Sequence, residues 1–440
     1  MLKKWILWAV WVAAATAGFA AYAQVADTSE LLKTADELVQ AVTKLRGLEP
    51  KSPIQKGIKS REEIAQYLKE RVEQDYDPGE LEAEGKMLKR LGLIPADLDY
   101  REFVLKLLSE QVGGYYDPDR DTLFIASWIS VEEQKPILVH ELTHALQDQH
   151  FDIGGMLKEG QKNRDDDRAL ARQAFLEGDG MVVMLQYLLE PLQRHFSQLP
   201  DRAFIMRAQM SSMQSQYAVF KDAPAFLQEN LLFPYGYGAA FLQKVWSADP
   251  TWQAVNRIYS DLPASTEQIM HPEKYLHTRD DPKTVPGIVP AEEIGAGWKT
   301  TYENTLGEFS LGLLLSLRLS EERSRRAAAG CGGDKAALLE NGEGKDAVFI
   351  RTVWDTPEDA EQFFLAMQDW LQKSYPKADR TDESNSGFSL LYGGECHSIR
   401  REGSDVRFVI GLPESDAQNL RKLWHKQPES RVPAPAKAGF

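Results

Sequence analysis

The stretch Ile137–His150 reads ILVHELTHALQDQH. On an α-helix, His140 and His144 project from one face about one turn apart, and Glu141 lies beside them. Apolar residues such as Leu142 fall on the opposite side, so the helix can bury one face and turn both imidazoles toward a cleft. The stretch therefore predicts a metal-binding helix.

The ligand types indicate which metal this helix would hold. Neutral imidazoles are common ligands of Zn²⁺, and a Glu directly after the first His can act as general base toward a water on the metal. A chance match on a buried helix is the competing interpretation, but the 440 residues contain only 8 histidines. The sequence favours zinc on His140 and His144, with Glu141 as the base.

A catalytic zinc needs a third protein ligand and one open position for water. The main candidate is Glu177, on a second helix predicted over residues 167–190. Small residues around it, including Ala174 and Gly178, would let the two helices approach closely. A solvent-facing position is the commoner fate of a helical Glu, so its ligand role is a hypothesis.

His150 is the second candidate for the third ligand. It lies six residues after His144, a spacing that zinc peptidases of the metzincin type use. That pattern needs Gly three residues after the second His, where the chain leaves the helix, and this chain has Gln147 there. Both candidates stay open, with Glu177 preferred.

The motif residues carry a family resemblance. His140, Glu141, His144 and Glu177 match the ligand set and base of the gluzincin zinc metallopeptidases, the thermolysin-like group. The surrounding sequence is similar to that of secreted bacterial and archaeal HExxH proteins in three blocks: GGYYDPDRDTLFIA from Gly113, VHELTHALQDQHFDI from Val139 and AFLEGDG from Ala174. These blocks cover less than a fifth of the chain, and only the HExxH part is specific alone.

The resemblance implies zinc-dependent hydrolysis of peptide or protein substrates. It also implies that the strand before the metal helix, residues 122–126 here, is a free edge to which substrate adds as a strand. Thermolysin relatives carry an acidic residue where this chain has Met181. Asp179 or Asp148 would then orient a ligand imidazole instead.

A zinc peptidase also needs a donor for the oxyanion that forms during attack on the carbonyl. The candidates are His271, in STEQIMHPEKY, and two tyrosines of the stretch Pro-Tyr-Gly-Tyr-Gly, Tyr235 and Tyr237. For each of them an ordinary packed or surface residue is the competing interpretation.

The N-terminal region, residues 24–100, is predicted to be helical. Helices are expected over residues 28–48, 60–73 and 81–91. A capping box formed by Ser60 and Glu63 should start the second of them. The region is either a removable prosegment or an integral lobe, and the lack of a processing signal favours the lobe. A helix over 100–110 and a hairpin of strands 112–116 and 122–126 follow, and the metal helix should begin near Pro136.

The predicted fold class is α+β. A mostly helical, zincin-like catalytic domain (101–300) has a small sheet before the metal helix, and a C-terminal helix plus α+β domain (301–425) and a disordered tail (426–440) follow. Further helices are predicted over 203–217, 224–232, 239–246 and 310–329. The last domain combines a helix over 357–373 with strands at 335–339, 347–354, 389–392, 396–401 and 406–412.

The first residues predict export. MLKKWILWAVWVAAATAGFAAYAQ has a basic start, an apolar run and small residues before Gln24, which is typical of a secretory leader over residues 1–23. A secreted or periplasmic location would permit a disulfide, and the two cysteines, Cys331 and Cys396, are expected to form one. No membrane role beyond export is expected, and a net charge of −15 disfavours nucleic acid.

The sequence therefore predicts a secreted zinc metallopeptidase. The alternative is a non-catalytic, zincin-like envelope binding or assembly factor that keeps the metal. Glu141 argues against the alternative, because a purely structural metal site needs no base. The oligomeric state is left open.

Overall fold

The computed structural model describes residues 28–156, 164–199, 212, 216–285, 287, 288 and 291–425. The predicted leader (1–23), most of the helix predicted over 203–217 and the predicted tail (426–440) lie outside these residues. The described chain is α+β with an antiparallel sheet near its C-terminus, as the sequence predicts. No helix among the described residues is both long and apolar enough to cross a membrane.

The chain before residue 290 is mainly helical. Its elements, in order, are α1 (Thr28–Arg46), β1 (Gln55–Lys59), α2 (Arg61–Asp75), α3 (Glu80–Arg90), α4 (Tyr100–Gln111), β2 (Gly114–Asp117), β3 (Thr122–Ala126), α5 (Val131–Phe151), α6 (Asp166–Leu189), α7 (Ala218–Lys221), α8 (Ala225–Ala248), α9 (Trp252–Ile258), α10 (Thr266–Met270) and α11 (Glu273–Leu276). The predicted capping box is confirmed, because Ser60 and Glu63 exchange hydrogen bonds at the start of α2.

Strands β1, β3 and β2 form a three-stranded sheet in that order. β2 and β3 pair antiparallel, which confirms the predicted hairpin, and β1 pairs parallel to β3 on its other side. The expectation that Thr122–Ala126 is a free edge for substrate is therefore wrong, because β3 is the central strand. β1 escapes prediction because QKGIK has one large apolar residue, Ile58, and its partner strand lies far along the chain.

Helix α5 carries His140 and His144 and begins at Val131, not near Pro136 as predicted. Ser130 caps it, since its Oγ accepts the N–H of Glu133 at 3.4 Å. Pro136 therefore lies inside the helix, where it removes one intrahelical hydrogen bond. The Ser-x-x-Glu pattern is the earlier start signal, and α2 uses the same pattern.

Helix α6 packs against both α5 and α8. α8 runs without interruption through Pro234, so the predicted break between residues 232 and 239 is wrong. Close packing explains one of the glycines: a Cβ on Gly238 would collide with the carbonyl oxygen of Ala174, and a Cβ on Gly178 with the backbone of Gly238. Gly238, which suggests a helix break in the sequence, is a point where α8 contacts α6.

The C-terminal part is a seven-stranded antiparallel sheet with helices on both faces. Its elements are α12 (Ala291–Ile294), β4 (Lys299–Asn304), α13 (Gly307–Ser316), α14 (Glu321–Ala328), β5 (Cys331–Glu340), β6 (Asp346–Trp354), α15 (Pro357–Ser374), β7 (Asp379–Ser384), β8 (Gly387–Tyr392), β9 (Glu395–Glu402), β10 (Asp405–Pro413) and α16 (Glu414–His425). The strand order is β4-β5-β6-β10-β9-β8-β7. Phe363 and Trp370 of α15 pack on one face, and Trp298 and Leu420 pack on the other.

Two predictions for this part are wrong. The single helix expected over 310–329 is two helices, because Ser320 caps a new one, α14. The disulfide is absent: Cys331 and Cys396 are both buried and are not bonded to each other. They lie in β5 and β9, with β6 and β10 between them. Three strand spacings of about 4.8 Å separate these strands by about 14 Å, and a disulfide needs Cα atoms within about 7 Å.

Candidate metal centre

Helices α5 and α6 bring His140, His144 and Glu177 together where they pack. Nε2 of His140 lies 3.0 Å from Nε2 of His144 and 3.0 Å from Oε2 of Glu177. The same carboxylate oxygen lies 3.4 Å from Nε2 of His144. All three side chains are 1% exposed. The residues that the sequence selects as ligands are therefore neighbours in a buried cluster.

The spacing of these atoms suits a metal ion. Ligand atoms about 2.05 Å from a tetrahedral zinc lie about 3.3 Å from one another. The three separations, 3.0, 3.0 and 3.4 Å, fall around that value. Two imidazoles and one carboxylate also leave a fourth tetrahedral position for water. The group fits a catalytic zinc, and its nitrogen and oxygen ligands could also hold another divalent transition metal.

Two contacts fix the histidine rings. Nδ1 of His144 donates to Oε1 of Gln147 at 2.8 Å, and the Gln147 amide donates to the carbonyl oxygen of Leu176 on α6 at 3.2 Å. Gly180 faces His140, because a Cβ there would lie 2.7 Å from Cε1 of the ring. Gln147 therefore holds His144 in the tautomer whose Nε2 can bind a metal. The sequence analysis treats Gln147 only as a missing glycine and overlooks this role.

Glu141 lies outside the group of three ligands. Its Oε2 accepts the backbone N–H of Tyr116, in β2, at 2.9 Å. Its Oε1 is buried and has no hydrogen-bond partner within the described part of the chain. Burial raises the pKa of Glu141 to about 8, against the opposing effects of His144 and the Tyr116 N–H. A carboxyl group with this pKa is mostly protonated at pH 7, and a cation bound beside it would lower the pKa toward the ionised form that can act as a base.

Burial and the charges of their neighbours shift the pKa values of the three candidate ligands. Burial lowers the pKa of His140 to about 4, helped by repulsion from His144, so the His140 ring is neutral at pH 7. For His144 and Glu177, burial opposes ionisation, but their attraction prevails. It raises the pKa of His144 to about 9 and lowers that of Glu177 to about 2. Glu177 is thus ionised at neutral pH, and a metal ion competes with a proton for His144.

The two other histidine candidates have partners of their own. Nε2 of His150 donates to the carbonyl oxygen of Glu49 at 2.7 Å. His271, at the end of α10, pairs through Nε2 with Oε1 of Glu308 at 2.8 Å. Neither histidine belongs to the group whose ligand atoms lie within 4.8 Å of one another. The structure therefore brings Glu177, and not His150, to the two histidines of α5.

The two tyrosine candidates point to different surroundings. The ring centroid of Tyr235 lies 6.2 Å from that of His140. Burial, together with the nearby Glu177 and Glu141, raises the pKa of Tyr235 well above its usual value, so the phenol stays protonated. Tyr237 instead stacks on Phe233, with ring centroids 4.5 Å apart. Tyr235 is the tyrosine beside the centre.

The aspartates expected to orient an imidazole have other partners. Asp179 accepts two hydrogen bonds from Nε of Arg46, at 2.8 and 3.0 Å. Asp148 accepts one from the hydroxyl of Tyr116 at 3.0 Å. That expectation is wrong, and Gln147 is the residue that orients a ligand. Gln147 is overlooked in the sequence because its side-chain amide carries no charge, whereas the partners expected for the imidazoles are charged.

A second acidic group contains Glu267, Asp280 and Asp355. Nζ of Lys274 lies 2.6, 3.0 and 2.6 Å from their carboxylates, respectively. The ammonium group thus supplies the positive charge that these carboxylates need. This cluster is a partly buried ion-pair network.

Comparison with known proteins gives one match. A family described as a domain of unknown function (DUF8575) matches residues 295–421, which is the C-terminal sheet with its helices. No curated protein and no solved structure matches the chain. The matched range does not include the metal centre, so the function has to be inferred from the centre itself.

Proposed function

We propose that the protein is a zinc metallopeptidase of the gluzincin type, with Zn²⁺ on His140, His144 and Glu177. Glu141 carries this proposal. It is a buried carboxyl group beside three metal ligands, and one of its oxygens has no hydrogen-bond partner among the described residues. Burying such a group costs free energy, and a purely structural metal site gains nothing from it. A reaction that moves a proton at this position accounts for it.

The residues would divide the work of peptide hydrolysis. Bound zinc would acidify a water molecule and polarise the substrate carbonyl. Glu141, in its ionised form, would accept a proton from the attacking water and would return it to the nitrogen of the leaving amine. One water is consumed for each peptide bond broken. Gln147 keeps the ring of His144 in place throughout.

Tyr235 is the best placed of the three candidates for the oxyanion donor. Its ring lies beside His140, and its hydroxyl keeps its proton at neutral pH. His271 uses its Nε2 on Glu308, and Tyr237 packs on Phe233. A buried phenol that donates to the developing oxyanion is worth more than the same donor in water.

The substrates would be peptides or proteins outside the cytoplasm. The leader predicted at residues 1–23 supports secretion or export to the periplasm. The ligands and Glu141 are all buried, which keeps bulk water from the reacting groups. Substrate entry therefore requires the surrounding chain to open.

The test compares Glu141→Gln with wild-type protein. Zinc content is measured by elemental analysis of the purified full-length protein, and cleavage of a peptide library by mass spectrometry. Glu141→Gln should retain zinc and lose cleavage by about 10²- to 10⁴-fold. Glu132→Gln, which changes a glutamate with an 80% exposed side chain on the same helix, should behave as wild type.

Two results would contradict the proposal. Cleavage at the wild-type rate by Glu141→Gln would exclude this glutamate as the base. A zinc-loaded wild-type protein that cleaves no peptide in the library would favour the non-catalytic envelope factor instead.

A further inference from the structure

A cavity lies between α8, α13 and α14. None of the metal-centre residues lines it. Its volume is about 300 Å³, enough for one small molecule or one long side chain. The walls are mostly apolar and aromatic, and include Phe226, Tyr237, Met270, Phe309 and Leu313. An apolar cavity of this size with few polar groups is typical of a small-ligand site.

Two polar atoms of the residues that line this cavity are buried without a hydrogen-bond partner in the described chain. They are Oε2 of Glu308 and Oγ of Ser324. The Glu308 side chain is 2% exposed, and its other oxygen is already engaged by His271. A buried carboxylate oxygen that lacks a donor costs free energy. A ligand that brings a donor into the cavity would remove that cost.

The charge around the cavity is negative. Glu229 also lines it, and burial with repulsion from Glu321 raises the pKa of Glu229. Arg325 is the positive residue among those that line the cavity, and it pairs with Glu321 at 3.3 Å. The remaining acidic groups are Glu308, which shares its charge with His271, and Glu229, whose raised pKa reduces its ionised fraction. Their ionised forms attract cations and repel anions.

We propose that this cavity binds an organic cation with an apolar body, namely an ammonium group on an aliphatic or aromatic stem. The ammonium donates hydrogen bonds to Oε2 of Glu308 and to Oγ of Ser324. The stem packs against the apolar walls, and the rings of Phe226, Tyr237 and Phe309 favour a cation beside them. A lysine side chain and an arylalkylamine both have this chemistry. Binding requires neither a metal ion nor peptidase activity.

The test uses three ligands of similar shape and different charge: phenethylamine, 2-phenylethanol and 3-phenylpropionate. Each is titrated into the full-length protein by calorimetry. A chelator is present, so that the amine cannot bind a metal ion at the His140 centre. Phenethylamine should bind at least about tenfold more tightly than the alcohol, because a charge-assisted hydrogen bond is gained, and the carboxylate should bind most weakly.

Variants show whether Glu308 causes the preference for the amine over the alcohol. Glu308→Gln keeps the shape of the side chain but removes its charge, and it should abolish the preference for the amine. Glu343→Gln, an exposed glutamate outside the cavity, should leave it unchanged. If Glu308→Gln does not fold, Glu229→Gln should still reduce the preference several-fold. Equal binding of amine and alcohol, no binding of the amine, or an unchanged preference in Glu308→Gln would overturn the proposal.

Discussion

Nδ1 of His144 donates a hydrogen bond to Oε1 of Gln147, 2.8 Å away and one turn later on the same helix. The amide of Gln147 donates in turn to the carbonyl oxygen of Leu176, the residue before Glu177. One glutamine therefore sets the orientation of a ligand imidazole and ties its helix to the helix that carries the carboxylate. In metal sites such outer contacts fix the tautomer and the orientation of the ligand rings.

Gln147→Leu should weaken zinc binding. Leucine fills a similar volume but makes neither hydrogen bond, so His144 loses its fixed orientation and affinity should fall about 10- to 100-fold. Competition with a chromophoric chelator measures the dissociation constant. Gln149→Leu is the matched control, because that glutamine bonds to Ser52 on the surface. Equal affinities in the two variants would exclude the proposed role of Gln147.

The pairing of His140 and His144 could be predicted from the sequence because its geometry is local. Four residues make about one helical turn, so His140 and His144 share a face wherever that helix lies. Glu177 could be predicted only from a weaker signal, namely the small residues around it. Two of these residues do make close contacts: Gly178 lies against Gly238, and Gly180 lies against His140.

The features of the fold that could not be predicted depend on contacts between segments that are distant along the chain. β1 pairs with β3 although its own residues show no strand pattern, and α8 continues through Pro234 and packs its Gly238 on α6. The cysteines share one domain, yet two strands separate them. Spacing along the chain carries no information about any of these relationships.

The third ligand can be tested by removing each candidate. Glu177→Ala takes away the carboxylate that lies 3.0 Å from Nε2 of His140, and the purified protein should then lose its zinc. His150→Ala removes only a hydrogen bond to the carbonyl oxygen of Glu49, and it should retain zinc as wild type does. Metal content per chain is the measurement. Loss of zinc in His150→Ala with retention in Glu177→Ala would reverse the assignment.

Arg46 and Asp179 form an ion pair whose side chains are both 0% exposed. Arg46→Met would leave the charge of Asp179 buried without a positive partner, with only the Tyr259 hydroxyl still donating to it at 2.6 Å, and should cost about 3–5 kcal/mol of unfolding free energy, measured with urea. The double variant Arg46→Met with Asp179→Leu should lose less, because no charge remains buried. Lys44→Met, which breaks a surface pair with Glu190, should cost under about 1 kcal/mol.

The same pair bears on the N-terminal helix. Arg46 is the last residue of α1, so removing α1 as a prosegment would take the positive partner from Asp179, two residues after Glu177. The buried pair favours the integral lobe. A loss of stability in Arg46→Met no larger than that in Lys44→Met would remove this argument.

His397 is a buried histidine of the C-terminal sheet. Its Nδ1 accepts the N–H of Gly411 at 3.2 Å, and its ring stacks on Tyr375 with centroids 3.8 Å apart. Burial, with the positive charge of Arg90 nearby, lowers the pKa of His397 to about 4. In the unfolded chain a histidine has a pKa of about 6.5. Between about pH 6.5 and pH 4, His397 therefore binds a proton in the unfolded chain but not in the folded protein.

The folded protein should therefore lose stability through His397 as the pH falls from about 6.5 to about 4, by up to about 1.4 kcal/mol per pH unit. Above about pH 6.5 the full contribution is present. His397→Asn keeps an acceptor for Gly411 but cannot titrate, so it should lack this part of the pH dependence. Urea unfolding of both proteins at several pH values gives the comparison. A difference in unfolding free energy between them that stays constant across that range would mean that folding does not shift the pKa of His397.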